Sequence, residues 1–74
     1  MAVTKSQSLM YMYEKFLKCG KLTRLDTENI LEINDLTFHR YIQEIKAYLV
    51  NFNIAKEIKF SKRNQEYYLI NKEI

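Results

Sequence analysis

Seventy-four residues with a formal net charge of +3 make one domain with one small core, because a chain this short buries only about 60% of the surface its unfolded form exposes. That leaves no room for a deep substrate cavity. A composition 47% hydrophobic and 28% charged, with one Gly and no Pro, excludes disorder, and six Tyr and four Phe can fill a small core without staples. The single cysteine, Cys19, excludes an intrachain disulfide and suits a reducing, cytoplasmic setting. No apolar h-region follows the N-terminus and no apolar run approaches the ~18 residues of a membrane span, so neither a signal peptide nor a membrane partner is expected. The positive balance mildly favours a polyanionic partner.

In chain order, Ser6 is the expected N-cap of a first helix. Leu9, Tyr13, Phe16 and Leu17 recur on it with an amphipathic period. Gly20 is placed to stop it in a left-handed conformation. In "KLTRLDTENILEI", Thr23 or Asp26 can cap a short second helix, with Leu25, Ile30, Leu31 and Ile33 as its apolar contacts. Asn34, another favoured cap, opens a long third helix. Its stripe is Phe38, Ile42, Ile45 and Leu49, flanked by Tyr41, Tyr48 and Phe52, and its end falls near Asn51 or Asn53. The period then changes. "KEIKFS" alternates apolar Ile58 and Phe60 with charged Glu57 and Lys59, and "EYYLIN" returns through Tyr67 and Leu69. The polar "SKRNQ" between them predicts a hairpin with a basic tip.

Helix, short helix, long helix and hairpin in that order predict a mostly α domain over residues 1–74. The expected fold is a winged helix-turn-helix of three helices plus a two-stranded wing. In such a motif the second helix of the pair lies in the DNA major groove with its N-terminal residues at the base edges. "NDLTFHRYIQEI" also resembles the recognition segment of DeoR-like and WYL-domain bacterial transcription regulators, which read roughly V-S-x-R-T-I-x-R-D-I-x-x-L. Ile33 stands at the Val, Asn34 at the Ser, Thr37 at the Thr, Phe38 at the Ile, Arg40 at the second Arg, Ile42 at the following Ile and Ile45 at the Leu. "CGKLT" resembles the x-G-x-x-[ST] before the family's second helix. "IKFSKRNQEYYL" resembles its wing, I-x-Y-x-x-x-x-x-x-Y-x-L. Leu36 replaces the family's first Arg and Tyr41 its Asp, which removes a phosphate or base contact and an intrahelical ion partner. The resemblance covers about residues 6–70. It implies transcription control, and further ligand-sensing and dimerising domains through which a homodimer would form. The chain is read as a lone DNA-binding module or as a piece of a longer regulator.

The candidate DNA-binding residues are Asn34, Asp35, Leu36, Thr37, His39, Arg40 and Gln43 at the front of the third helix, with Lys59, Lys62 and Arg63 on the wing. Arg40, opposite the apolar stripe, can bond guanine O6 and N7 or clamp a phosphate; its bland reading is a solvated side chain. Thr37 offers a hydroxyl and a methyl. Asn34 is first of all a cap, although the helix N-terminus there also suits a phosphate. Leu36 either packs back on the second helix or meets a thymine methyl. His39 is the lone histidine, with no ligand set or nucleophile beside it, so neither a metal nor catalysis is expected. The basic wing is either a protected sheet edge or a phosphate contact. No glycine-rich loop and no paired-carboxylate motif stands out. The expectation is therefore a non-enzyme without cofactor that binds double-stranded DNA, with helix 34–52 in the major groove and wing 56–70 on the backbone. The rival is a winged-helix module that binds protein instead, favoured by Asp35, Glu44 and Leu36. A third reading, single-stranded nucleic acid, needs several exposed tyrosines on one surface.

Overall fold

Thr4 opens the first helix. In the computed structural model, which describes residues 3–72, its hydroxyl accepts the Gln7 N–H at 3.1 Å while the Gln7 side chain accepts the Thr4 N–H at 3.2 Å. This reciprocal capping box satisfies two N–H groups that the helix itself leaves free. It starts α1 at Lys5, ahead of the expected cap at Ser6, and the helix runs Lys5–Cys19. Gly20 ends it as expected, with φ 77 and its N–H on the Phe16 carbonyl at 2.8 Å.

The chain then departs from expectation. Lys21–Thr23 form a strand, β1, before α2 spans Arg24–Leu31 and α3 spans Asp35–Asn51. The hairpin follows as β2, Lys56–Ser61, and β3, Glu66–Asn71. All three strands join one antiparallel sheet in the order β1-β3-β2, so the expected two-stranded wing is part of a three-stranded sheet. Three residues carry too little periodicity to reveal a strand. β1 exists because β3 offers it a free edge, pairing Lys21 with Tyr68 and Thr23 with Glu66. Leu22, between them, is 2% exposed and anchors the strand in the core.

The core joins α1, α2, α3 and the sheet through Met12, Phe16, Leu22, Leu31, Phe38, Ile42, Ile45, Leu49 and Ile58. The expected stripe of α3 is buried in full. On α1 the buried line is Ser8, Met12 and Phe16; of the expected Leu9, Tyr13, Phe16 and Leu17 only Phe16 is fully buried. Leu9 and Tyr13 are half-buried flanks and Leu17 is exposed. On α2, Leu25 and Ile30 are likewise exposed, while Thr27 and Leu31 face inward. Thr27 manages this because its hydroxyl donates to the Thr23 carbonyl at 2.9 Å, leaving a methyl to pack. Thr23 is the residue at the N-cap position of α2, but its side chain makes no capping bond.

The turn from α2 to α3 is short and tightly held. Glu32 takes a left-handed φ of 56 and sends its N–H to the Glu28 carbonyl, and the Ile33 N–H reaches the same carbonyl at 3.1 Å. Asn34 then caps α3 as expected: its side-chain oxygen accepts the Thr37 N–H at 2.8 Å. Such a cap contributes about 1 kcal/mol. These two local devices aim the front of α3.

Candidate nucleic-acid interface

Most of the expected site residues fall into three groups by what their side chains touch. Asn34 is committed to its cap. Asp35 and His39 are committed to a polar seam that links α2, α3 and β3. The Arg24 guanidinium donates to Glu28 at 2.8 Å and reaches Asp35 at 3.5 Å. Asp35 also lies 3.0 Å from His39 Nδ1, which is 2.9 Å from the Asp35 backbone oxygen. On the other side of the ring, Nε2 lies 3.1 Å from the Tyr67 hydroxyl. Asp35 can only accept, so Nδ1 carries the proton, and in the neutral ring Nε2 is left to accept from Tyr67.

The seam has an apolar backing. Tyr67 packs on Phe60 with ring centroids 4.8 Å apart and on Phe38 at 5.4 Å. Burial pushes the Tyr67 hydroxyl above its ordinary pKa; the positive Arg24 opposes this shift and the negative Asp35 adds to it. The hydrogen bond to Glu28 raises the Arg24 pKa, and Asp35 adds to that, so the guanidinium stays charged. The two carboxylates of the seam, Glu28 and Asp35, thus both answer the Arg24 guanidinium.

The third group is unengaged. Leu36, Arg40 and Gln43 are exposed, and the 100° step of the helix puts them on the side opposite Phe38, Ile42 and Ile45. Leu36 is 62% exposed and does not pack back on α2 as its bland reading required. Arg40 has no ion-pair partner among the described residues. Thr37 is half-buried on the flank beside Tyr41.

Lys62 and Arg63 sit in the four-residue loop between the paired residues Ser61 and Glu66. Gln65 holds that loop by donating its side-chain N–H to the Lys62 carbonyl at 2.8 Å, and both basic side chains stay exposed without a carboxylate partner among the described residues. Lys59 differs, pairing with Glu57 at 3.4 Å. Phe60 and Tyr67 face each other across the hairpin one residue before Ser61 and one after Glu66. The Tyr67–His39 bond therefore ties the base of the loop to the front of α3, next to Arg40. Two basic groups that are far apart in sequence, Arg40 and Lys62–Arg63, share one end of the molecule.

Sequence reasoning missed Arg24, Glu28 and Tyr67 as the residues that organise this end. Arg24 and Glu28 are spaced i, i+4, and that helical pairing signal was available in the sequence. Nothing local signalled that Tyr67 would reach His39 across twenty-eight positions. Among the described residues no three His, Cys, Asp or Glu side chains gather to hold a metal ion, and no helix is long and apolar enough to cross a membrane. Set against known proteins, the chain matches no family model, no curated protein and no solved structure.

Proposed function

We propose that the chain is a winged helix-turn-helix domain that binds double-stranded DNA in bacterial transcription control. In this reading α3 enters the major groove and the β2–β3 loop lies on the backbone. The helix–strand–helix–helix–strand–strand order, the three-residue turn before α3 and the antiparallel hairpin support the fold. The resemblance of "NDLTFHRYIQEI" to DeoR-like recognition segments supports the role.

One observation carries the reading. At the front of α3 the acidic groups Asp35 and Glu28 are bound by Arg24 and His39, while Arg40, Lys62 and Arg63 are left without partners among the described residues. A front arranged this way presents net positive charge to a polyanion, although three of its own side chains are acidic. The third of these, Glu32 in the turn, is exposed and unpaired among the described residues. Arg40 is placed to read a base edge, flanked by Leu36 for an apolar contact and Gln43 for a hydrogen bond. Lys62 and Arg63 supply affinity through phosphates.

A second reading is favoured by the exposed Leu25, Ile30 and Leu36, which are 60%, 55% and 62% accessible. A protein-binding module could use them, and it would not need the basic loop. Titration of the domain against random duplex DNA at two salt concentrations separates the two. DNA binding predicts an affinity that falls steeply with salt, and replacing both Lys62 and Arg63 by Ala should reduce the slope by about 0.9 per lost phosphate contact. A folded domain with no detectable duplex binding at low salt would overturn the DNA reading in favour of the protein-binding one.

A further inference from the structure

Away from the seam, α1 and α3 meet along a second surface. A groove of about 410 Å³ runs between them, lined by Leu9, Met10, Tyr13, Glu44, Ile45 and Tyr48. Tyr13 meets Tyr48 edge-on, with centroids 5.6 Å apart, and Tyr48 packs on Phe52 at 5.0 Å. Leu17 continues the face one turn beyond Tyr13. Much of this surface is left open to solvent: Met10 is 65% exposed, Leu17 53%, Tyr48 44% and Phe52 68%.

We infer that this α1–α3 face is where a second copy of the chain docks to form a two-fold dimer. Area is the first support. With large side chains exposing ~150–250 Å² each when free, the accessible parts of these four come to on the order of 400 Å² of apolar surface. A standard interface buries about 800 Å² per partner, of which roughly 60% is apolar, so the face supplies most of the apolar share of one. It is also at the size where a contiguous apolar patch on a small protein marks an interaction site.

Charge is the second support, and it selects the occupant. The one charged side chain that lines the groove, Glu44, is matched by Lys5 at 3.2 Å. The net charge of that pair is zero, although the chain as a whole carries +3. A two-fold contact sets each residue of the face against the same face inverted, so equal numbers of both signs are self-complementary. The opposite end, with Arg40, Lys62 and Arg63, would repel its own copy. Tyr and Met, both prominent here, are residue types enriched in interfaces. Docking on this face leaves the outward side of α3 and the β2–β3 loop free, yet the inference does not depend on DNA binding.

Sedimentation equilibrium of the intact chain without DNA, from about 1 to about 500 µM, tests it, since transient standard-size or smaller contacts have dissociation constants in that range. The mass should rise with concentration from the 9.0 kDa of one chain to twice that value and stop there. Met10→Glu and, separately, Phe52→Asp should each shift the dimerisation midpoint at least about tenfold upward, and circular dichroism should show both folded. Leu36→Glu, an exposed apolar residue on the other side of α3, should leave the midpoint unchanged. A chain that stays monomeric throughout overturns the inference and leaves the face to a different protein. A dimer insensitive to both variants overturns the placement. Association without a limit, weakened equally by Leu36→Glu, assigns the effect to non-specific stickiness and overturns it too.

Discussion

Asp35 and His39 lie within one turn of Leu36 and Arg40 on α3, all four are exposed, and all four read alike in the sequence as groove-facing candidates. In the structure their surroundings are opposite. Asp35 and His39 are held by α2 and β3 through Arg24 and Tyr67, whereas Leu36 is left exposed and Arg40 has no ion-pair partner among the described residues. A step of 100° along the helix separates a structural role from an available one. Residue type does not distinguish them; the direction in which each side chain leaves the helix does, because only one flank has a strand beside it.

The largest effect expected is on the locked face. Ile45→Ala should lower stability by about 2–5 kcal/mol, since the side chain is 4% exposed and leaves a cavity. Denaturant unfolding measures this, and a loss below about 1 kcal/mol would mean that α3 is not seated as described. Arg40 should behave in the reverse way. Arg40→Ala should change stability by no more than about 0.5 kcal/mol and weaken binding to a preferred duplex by about 1–3 kcal/mol. A base-reading role predicts relaxed preference at one base pair, and a phosphate clamp predicts uniform weakening across sequences.

Tyr67→Phe sharpens the contrast from the seam side. It removes the hydroxyl that holds His39 and should cost about 0.5–1.5 kcal/mol of stability, with no change in which base pairs are preferred. It also carries a pH signature. The folded pKa of Tyr67 lies above its ordinary 10.0, so the folded state favours the neutral phenol. The stability this contributes is complete below pH 10 and is lost as pH rises through the folded value. Unfolding followed from pH 9 to 12 should therefore show an alkaline loss that Tyr67→Phe reduces.

The smallest effect belongs to Ser8, which is 1% exposed and whose hydroxyl finds no partner among the described residues. Ser8→Ala removes an unsatisfied buried group at a helical position that suits Ala. Thermal unfolding should be unchanged or stabilised by up to about 1 kcal/mol. A loss of more than that would reveal a hydrogen bond at this position.

The sequence by itself determined whatever is written in local spacing. Gly20 stops α1, Asn34 caps α3, the Phe38–Ile42–Ile45–Leu49 line packs inward, and the alternation from Lys56 to Asn71 folds back as a hairpin. Each rests on a helical or strand period, or on one residue's backbone preference, acting over a few positions. The tertiary structure alone decided what depends on partners distant in sequence. Lys21–Thr23 become a strand because β3 has an open edge, Leu17 and Leu25 stay in solvent because no described element covers them, and His39 turns to Tyr67 because the hairpin comes to rest beside it. Periodicity tells which side of a helix is apolar. It does not tell which neighbour the remaining sides will meet, since that follows from packing the whole chain around one small core.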